Sequence, residues 1–278
     1  MIGREDLARG NGLLGASSSA AQLLGSGLGP ILLMFVGPRG LITLDAATFV
    51  ASAAFVLLLR PPASPAAGPE APGWRTLARG FSAIGRSPVL SWVVALGGLE
   101  MAAARPVLVL SLVFVTRVLD LPLQFLGYLV TAQGVGDLVG AALASVLAAR
   151  VPPERFVAGG LALLTAGSVG FAFSHGAVSG LASYFLVGIG IGVKTTGDET
   201  LLQMHSPTEA RGRVYAAAAA VYMLTSAAVA PLAGVLGDRL PPRQVLHGSW
   251  LMFVLATGLA LWRFGRPSPG HPAKGVRA

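Results

Sequence analysis

The most constraining stretch of this sequence runs from residue 188 to residue 238, where two long apolar segments flank one short charged turn. The turn, HSPTEARGR at 205–213, contains a proline, a glycine and three charged residues. Each flanking segment is long enough to cross a bilayer, because about 20 apolar helical residues cover roughly 30 Å of hydrocarbon. This stretch therefore predicts two membrane-spanning helices joined by a tight turn.

The same pattern recurs along the chain and predicts eight spans. Their expected ranges are 12–36, 41–59, 89–115, 123–149, 156–173, 178–202, 214–236 and 245–262. Helices are expected rather than barrel strands, because the runs are long and continuous. Charged residues make up 12% of the chain, against about 25% in soluble domains, which is too few to coat a soluble globule. The sequence predicts an all-α, polytopic transmembrane bundle.

The distribution of basic residues predicts the orientation of the spans. Fourteen Lys and Arg residues lie on one side of the predicted bundle, and two more, Arg105 and Lys194, lie inside spans. The other side has four, which are Arg39, Arg117, Arg239 and Arg243. We therefore expect both termini in the cytoplasm. The opening residues lack the basic stretch and short apolar core of a cleavable signal peptide, so the first span is expected to direct its own insertion.

The net charge of +8 does not indicate a nucleic-acid partner, because the arginines lie singly or in pairs between the spans. A surface facing lipid headgroups is the expected role for these charges. The chain has no cysteine, which excludes disulfides and thiolate metal sites. Its histidines are isolated and form no ligand cluster, so no metal and no cofactor is predicted. No serine, histidine and aspartate constellation indicates an enzyme.

The longest connection between spans divides the chain unevenly. Residues 61–87 begin with a proline- and alanine-rich stretch that is expected to be a disordered linker. Trp74, Leu77, Phe81 and Ile84 then recur at helical spacing, which predicts a short amphipathic helix in the cytoplasmic interface; a plain tether is the alternative. The expected domains are a two-helix segment over 1–60, this linker over 61–87, a six-helix bundle over 88–266 and a disordered tail over 267–278.

An internal repeat links the two unequal parts. The segment Ala-Arg-Gly-Asn at 8–11 and the later Gly29-Pro30 match Ala-Arg-Gly-Arg at 210–213 and the later Ala230-Pro231. Parallel repeats of this kind build the two halves of major facilitator transporters. On these residues the chain resembles the major facilitator superfamily (MFS), and within it a bacterial exporter branch that includes enterobactin exporter-like proteins.

The resemblance implies that the chain corresponds to helices 5–12 of a twelve-helix transporter and is N-terminally truncated. It further implies alternating access about a site near the midplane, with proton-coupled efflux of a small hydrophobic, drug-like or siderophore-like molecule. A chain without the first four helices is expected to be inactive in transport by itself. The other hypothesis is a non-transporting membrane scaffold that binds partners. The glycine pair that the family's antiporter motif has after the proline is replaced by Leu32 and Leu33, so the motif does not establish antiport.

Ionisable residues inside the spans are the strongest pointers to chemistry, because each costs roughly 2.5–3.5 kcal/mol at a helix centre. Glu100 and Arg105 share the third span, but a spacing of five residues points them in different directions. Asp137 lies at the centre of the fourth span. These three residues and Asp198 are the candidates for the substrate or proton pathway; structural pairing between helices is the alternative. Lys194 lies four residues before Asp198 on one helix face, which favours a local ion pair.

The remaining charged candidates belong to the cytoplasmic turn and its approach. They are Glu199, Glu209, Arg211 and Arg213. Glu199 is expected near Gln203, in reach of an arginine of that turn. Pairs of glycines four residues apart, at 25 and 29, 136 and 140, and 188 and 192, predict close approach of helix backbones rather than chemistry. Substrate identity and oligomeric state do not follow from these patterns.

Overall fold

All regular structure in the part of the chain that the computed structural model describes, residues 32, 35–37, 39–58 and 74–265, is helical. The chain divides into two compact units, Met1–Thr76 and Leu77–Ala278. The first contains α1, and the second contains nearly all of α2 and everything after it. The helices are α1 (Arg39–Leu58), α2 (Trp74–Arg86), α3 (Pro88–Val113), α4 (Phe125–Leu147), α5 (Pro153–Ala172), α6 (Ala177–His205), α7 (Arg211–Arg239) and α8 (Pro242–Phe264).

Seven of the described helices are long and apolar enough to cross a bilayer. They are α1 and α3 to α8, and they match seven of the eight predicted spans. The remaining one, predicted over 12–36, lies almost entirely outside the described residues, as do the proline-rich linker and the C-terminal tail. Large apolar side chains on the surface, such as Val146 (78% exposed) and Leu224 (68% exposed), suit a lipid surrounding. The chain is a polytopic transmembrane helix bundle.

Proline sets the start of three helices one to three residues before the predicted boundary. Pro88, Pro153 and Pro242 each occupy the first helical turn, where a missing N–H costs no hydrogen bond and the fixed φ favours the helix. The hydroxyl of Ser87 also caps α3 by accepting a hydrogen bond from the Leu90 N–H. A count of apolar residues places Pro88, the segment 153–155 and the segment 242–244 in the loops, because none of them is continuously apolar.

Helices α3 and α7 are irregular along their length. Each contains an internal proline, Pro106 in α3 and Pro231 in α7, which removes one backbone hydrogen bond and favours a bend. Helix α3 then continues into a π-helical turn at Phe114–Val118 and ends before Asp120, whose φ is +52°. These two helices are therefore less uniform rods than their neighbours.

Helix α6 packs between α4 and α5 through glycines on two of its faces. A Cβ on Gly188 would lie 2.0 Å from the carbonyl oxygen of Gln133 in α4, and one on Gly140 would lie 2.2 Å from that of Ile189. On the other face, a Cβ on Gly190 would lie 2.6 Å from the backbone N of Leu164 in α5. The glycines let the backbones meet directly, as small residues do in membrane helix pairs.

Two apolar clusters complete the bundle. The larger one includes Leu90, Leu161, Leu201 and Phe253 and joins α3, α5, α6 and α8. The smaller one lies near the other end of the helices, where the ring of Phe171 contacts Phe114 and Tyr184 at centroid distances of 4.9 Å and 4.7 Å. Offset and edge-on ring pairs of this kind add to the burial of apolar area.

Helix α2 packs against the start of α7. Ile84 is 7% exposed, and a Cβ on Gly80 would lie 2.2 Å from the carbonyl oxygen of Arg213. The buried side of α2 is therefore formed by Gly80 and Ile84, with Leu77 packed beside them. Trp74 and Phe81, which belong to the predicted apolar face, are 75% and 40% exposed, and their place in the membrane interface stays a prediction. A count of apolar residues did not single out Gly80, because a glycine has no side chain to count.

Candidate functional site

A buried ion cluster joins α3 to α6. The Lys194 Nζ lies 2.7 Å from Glu100 Oε2 and also donates a hydrogen bond to Asp198 Oδ2. The side chains of Lys194, Glu100 and Asp198 are 5%, 12% and 14% exposed. One ammonium group thus serves two carboxylates, one from its own helix and one from α3.

The cluster lies deep in the bundle. Glu100 is twelve residues after the first residue of α3, and Lys194 is eleven residues before the end of α6. At 1.5 Å per residue, Glu100 lies about 18 Å from the start of α3, and Lys194 lies about 17 Å from the end of α6. The ion cluster therefore lies inside both spans, nearer to the start of α3 and the end of α6 than to their opposite ends.

The cluster is not balanced in charge or in hydrogen bonds. Two carboxylates around one ammonium give a formal charge of −1 when all three groups are ionised. Within the described residues, Asp198 Oδ1 is enclosed and has no hydrogen-bond partner. Because an enclosed and unpaired carboxylate oxygen is costly, a proton on one of the two carboxylates would neutralise the cluster.

Arg105 lies on a different face of α3 and lines a cleft of about 480 Å³ between α3 and α7. The residues around it are Met101, Tyr222, Met223, Ser226 and Ala227. The Nε of Arg105 is enclosed and has no hydrogen-bond partner in the part of the chain that is described. Glu100 and Arg105 therefore do diverge, Glu100 toward α6 and Arg105 toward α7.

Tyr222 stands between the ion cluster and the cleft. Its ring contacts the backbone of α3 at Gly97, where a Cβ would lie 2.6 Å from the ring. The phenol lines the cleft and is close enough to Lys194, Glu100 and Asp198 to interact with them electrostatically. Beyond the cleft the two helices close again, because a Cβ on Gly237 would lie 2.4 Å from a methyl group of Leu110.

Asp137 lies at the interface between α4 and α6, apart from the ion cluster. Its carbonyl oxygen would lie 2.1 Å, and its Oδ1 2.9 Å, from a Cβ on Gly192. The side chain is half-buried. Asp137 and the Lys194 backbone thus lie on different sides of α6, since the backbone of α6 at Lys194 packs against Gly160 of α5.

The charged residues of the turn lie at the end of α6 and the start of α7. Arg211 donates a hydrogen bond to the carbonyl oxygen of Gln203 at 3.1 Å, and Arg213 donates one to that of Glu209 at 3.2 Å. Glu199 and Glu209 are exposed. Arg211 therefore caps a carbonyl in the last turn of α6, a role that basic side chains commonly have at helix ends, and Arg213 bonds a carbonyl of the turn itself.

Sequence reasoning missed the α7 side of the cleft. Helix α7 is apolar on all sides, so no periodic face singled out Tyr222, Met223 or Ser226. The one available signal was a tyrosine eleven residues inside a span, because a buried phenol needs a polar partner.

Charged side chains enclosed between membrane spans are rare and usually mark a functional pathway. The sequence model of the Major Facilitator Superfamily matches residues 1–221. The chain belongs to the Major Facilitator Superfamily. No curated protein matches the chain. The narrower resemblance to enterobactin exporter-like proteins stays a prediction.

Two solved carriers have a similar fold. A bacterial homologue of the human lysosomal transporter Spinster, in an inward-facing and unoccupied conformation, has a TM-score of 0.58 at 13% identity, covering 91% of this chain and 70% of its own. The E. coli fucose:proton symporter FucP has a TM-score of 0.54 at 16% identity, covering 84% of this chain and 56% of its own. The chain thus spans part of the length of each.

Proposed function

We propose that this chain forms part of a secondary transporter that uses proton movement to export a small hydrophobic, drug-like or siderophore-like molecule by alternating access. Family membership supports transport in general. The observation that carries proton coupling is the ion cluster, in which Glu100 and Asp198 share Lys194 inside the bundle. The transport activity of a whole carrier rests on more helices than the six of α3 to α8.

The charge of the cluster gives the proposed coupling its physical basis. With both carboxylates ionised the formal charge is −1, and one proton brings it to zero. A site inside the bilayer pays a large penalty for net charge, so the two protonation states favour different surroundings. A bundle that opens the cluster to water in one state and encloses it in the other would move a proton with each cycle.

We propose that the cleft beside the cluster forms one side of the substrate-binding site. Arg105 and Tyr222 line it, and Tyr222 also lies near the cluster. Substrate in the cleft and a proton in the cluster would therefore act on the same tyrosine. Asp137, at the α4–α6 interface, is the second carboxylate proposed for the proton pathway.

The test is pH-driven accumulation of a fluorescent probe in liposomes that contain the full-length protein. The probes are pyrenebutyrate, pyrenebutanol and a pyrenebutyl trimethylammonium ion, which share one apolar body. We expect at least one to accumulate above its level in protein-free liposomes when a pH gradient is imposed, because pyrenebutyrate, a weak acid, also distributes passively with pH. Asp198→Asn should reduce this protein-dependent accumulation by at least about tenfold, as loss of a proton-transfer group does. Asp238→Asn, an exposed carboxylate at the end of α7, is the matched control.

Two outcomes would redirect the proposal. Loss of accumulation in Asp137→Asn, with Asp198→Asn unaffected, would move the proton site to α4. Absence of accumulation for every probe, together with isolation of a defined complex with another protein, would favour the scaffold hypothesis.

We also propose a bacterial cytoplasmic membrane, with the turn at 205–213 and both termini on the cytoplasmic side. Because the chain has no cysteine, single cysteines report sidedness without background. In intact cells a membrane-impermeant maleimide is expected to label Gln124→Cys and to spare Thr208→Cys; both positions are exposed. The reverse pattern would invert the topology.

A further inference from the structure

We propose that the cleft between α3 and α7 binds an organic anion with an apolar body, and that Arg105 takes the anionic group. This inference deepens the proposed function, because it names the substrate class of the same cleft. It is carried by the charge and depth of Arg105 and the enclosure of its Nε, together with the chemistry of the cleft walls.

The charge of Arg105 is uncompensated within the described part of the molecule. The residues that line the cleft with it are two methionines, a tyrosine, a serine and an alanine, with no carboxylate among them. The nearest carboxylate along α3, Glu100, points to α6 and is occupied by Lys194. The enclosed Nε of Arg105 also lacks an acceptor among these residues. An unpaired guanidinium in this cleft favours the binding of an anion, because its planar fork matches carboxylate, sulfonate and phosphate groups.

The depth of Arg105 favours a soluble ligand over a phospholipid headgroup. Arg105 is seventeen residues after Pro88 and thirteen before Val118, the limits of this span. At 1.5 Å per residue it lies about 26 Å and about 20 Å from the two ends. A headgroup stays at the membrane surface, so it would have to leave its leaflet to reach Arg105. A substrate that enters the bundle has no such restriction.

The cleft walls fit the apolar part of such a molecule. Met101 and Met223 supply flexible, polarisable surface that adapts to different shapes, and the ring of Tyr222 forms one side. The volume of about 480 Å³ lies in the range of small-molecule sites, roughly 300–1,000 Å³. The hydroxyl of Ser226 adds one polar group for orientation. One cation, one hydroxyl and otherwise apolar walls specify an amphipathic organic anion.

Binding of the three pyrene probes to the full chain in dodecyl maltoside tests this assignment, with energy transfer from the tryptophans as the readout. We expect pyrenebutyrate to bind more tightly than pyrenebutanol, and the ammonium probe to bind most weakly. Arg105→Gln should weaken pyrenebutyrate about 10- to 100-fold, the range for a lost charged hydrogen bond, and leave pyrenebutanol unchanged. Arg105→Lys, which keeps the charge, should weaken pyrenebutyrate binding by a smaller factor.

Two further variants separate binding from folding. Arg117→Gln removes an exposed arginine of the same helical segment and should leave all affinities unchanged. Ala227→Phe fills the cleft and should weaken pyrenebutyrate and pyrenebutanol alike. Equal affinity of wild type and Arg105→Gln for pyrenebutyrate would overturn the proposal, as would equal affinity of the wild type for all three probes.

A lipid occupant is tested in the same way. The measurement is repeated in phosphatidylcholine nanodiscs with and without phosphatidylglycerol, and we expect the same pyrenebutyrate affinity in both. Competition by phosphatidylglycerol that disappears in Arg105→Gln would assign the cleft to lipid and overturn the substrate assignment. Charge-selective binding without pH-driven flux would support the anion site and contradict the proposed proton coupling. Flux without charge-selective binding would support the coupling and contradict the anion site.

Discussion

Helix α6 meets its neighbours in two contrasting ways. Toward α4 and α5 it presents glycines, and backbones touch so closely that a single Cβ would overlap a carbonyl oxygen. Toward α3 it presents Lys194, and the contact is an ion cluster beside an open cleft. The first kind of contact has one good geometry, because interlocked backbones cannot shift without separating. The second can exchange a proton or a ligand.

This contrast suggests a division of labour within the C-terminal bundle. We expect the α4–α6–α5 layer to act as a rigid body, whereas the side formed by α3 and α7 has charge, internal prolines and free volume. Interfaces that move in transporters need alternative arrangements of similar energy, which charged and polar contacts provide more readily than glycine packing.

Removal of the shared cation should have the largest effect on stability. Lys194→Met leaves two enclosed carboxylates without a partner, and breaking a buried ion pair on one side costs about 3–5 kcal/mol. We expect a lower unfolding midpoint in detergent. Adding Glu100→Gln and Asp198→Asn to Lys194→Met should restore most of the lost stability, because the two carboxylates are then neutral.

Arg150→Gln is the control for loss of a cation, because Arg150 is exposed at the end of α4. Its unfolding midpoint should equal that of wild type. A Lys194→Met protein as stable as wild type would show that the ion cluster does not hold α3 to α6.

Glycine packing should tolerate very little added volume. Gly188→Ala places a Cβ 2.0 Å from the Gln133 carbonyl oxygen, so α4 and α6 must move apart. Overpacking of this kind costs about 1–3 kcal/mol, measured as a shift in thermal unfolding. Gly248→Ala in α8 has open space around its Cβ and should be neutral or stabilising, as alanine favours helices over glycine. Equal stability of the two variants would refute the rigid layer.

The hydrogen bond between α5 and α8 should contribute least. The hydroxyls of Thr165 and Thr257 lie 2.7 Å apart, and polar contacts between membrane helices average about 0.6 kcal/mol in double-mutant cycles. We expect a coupling energy near that value from Thr165→Val, Thr257→Val and the double variant. A Thr165–Thr257 coupling energy as large as the stability loss in Lys194→Met would contradict the distinction between the ion cluster and the other helix contacts.

Sequence predicted the spans well and the contacts across them poorly. Apolar length fixes where α3 to α8 lie, and the i, i+4 spacing brings Lys194 and Asp198 onto one face without knowledge of the fold. The contact between Glu100 and Lys194 depends on how α3 and α6 pack, and no local spacing encodes that. The same holds for Tyr222, which packs over Gly97 of another helix.

Glycine illustrates the same limit in a different way. The pairs at 136 and 140 and at 188 and 192 predicted close approach, and the structure has α4 against α6 at these residues. Gly80, Gly190 and Gly97 make contacts of similar closeness but belong to no such pair. Their partners are a carbonyl, a backbone N–H and a tyrosine ring on other helices. Spacing within one helix cannot reveal a neighbour.

We propose that the carboxylates around Lys194 take up a proton inside the bundle. Infrared difference spectroscopy of the purified chain during a pH titration measures this without any need for transport. We expect a protonated carboxyl band in wild type that is lost or displaced in the variant with both Glu100→Gln and Asp198→Asn, and retained in Asp238→Asn. An identical carboxyl band in wild type and in that double variant would contradict it.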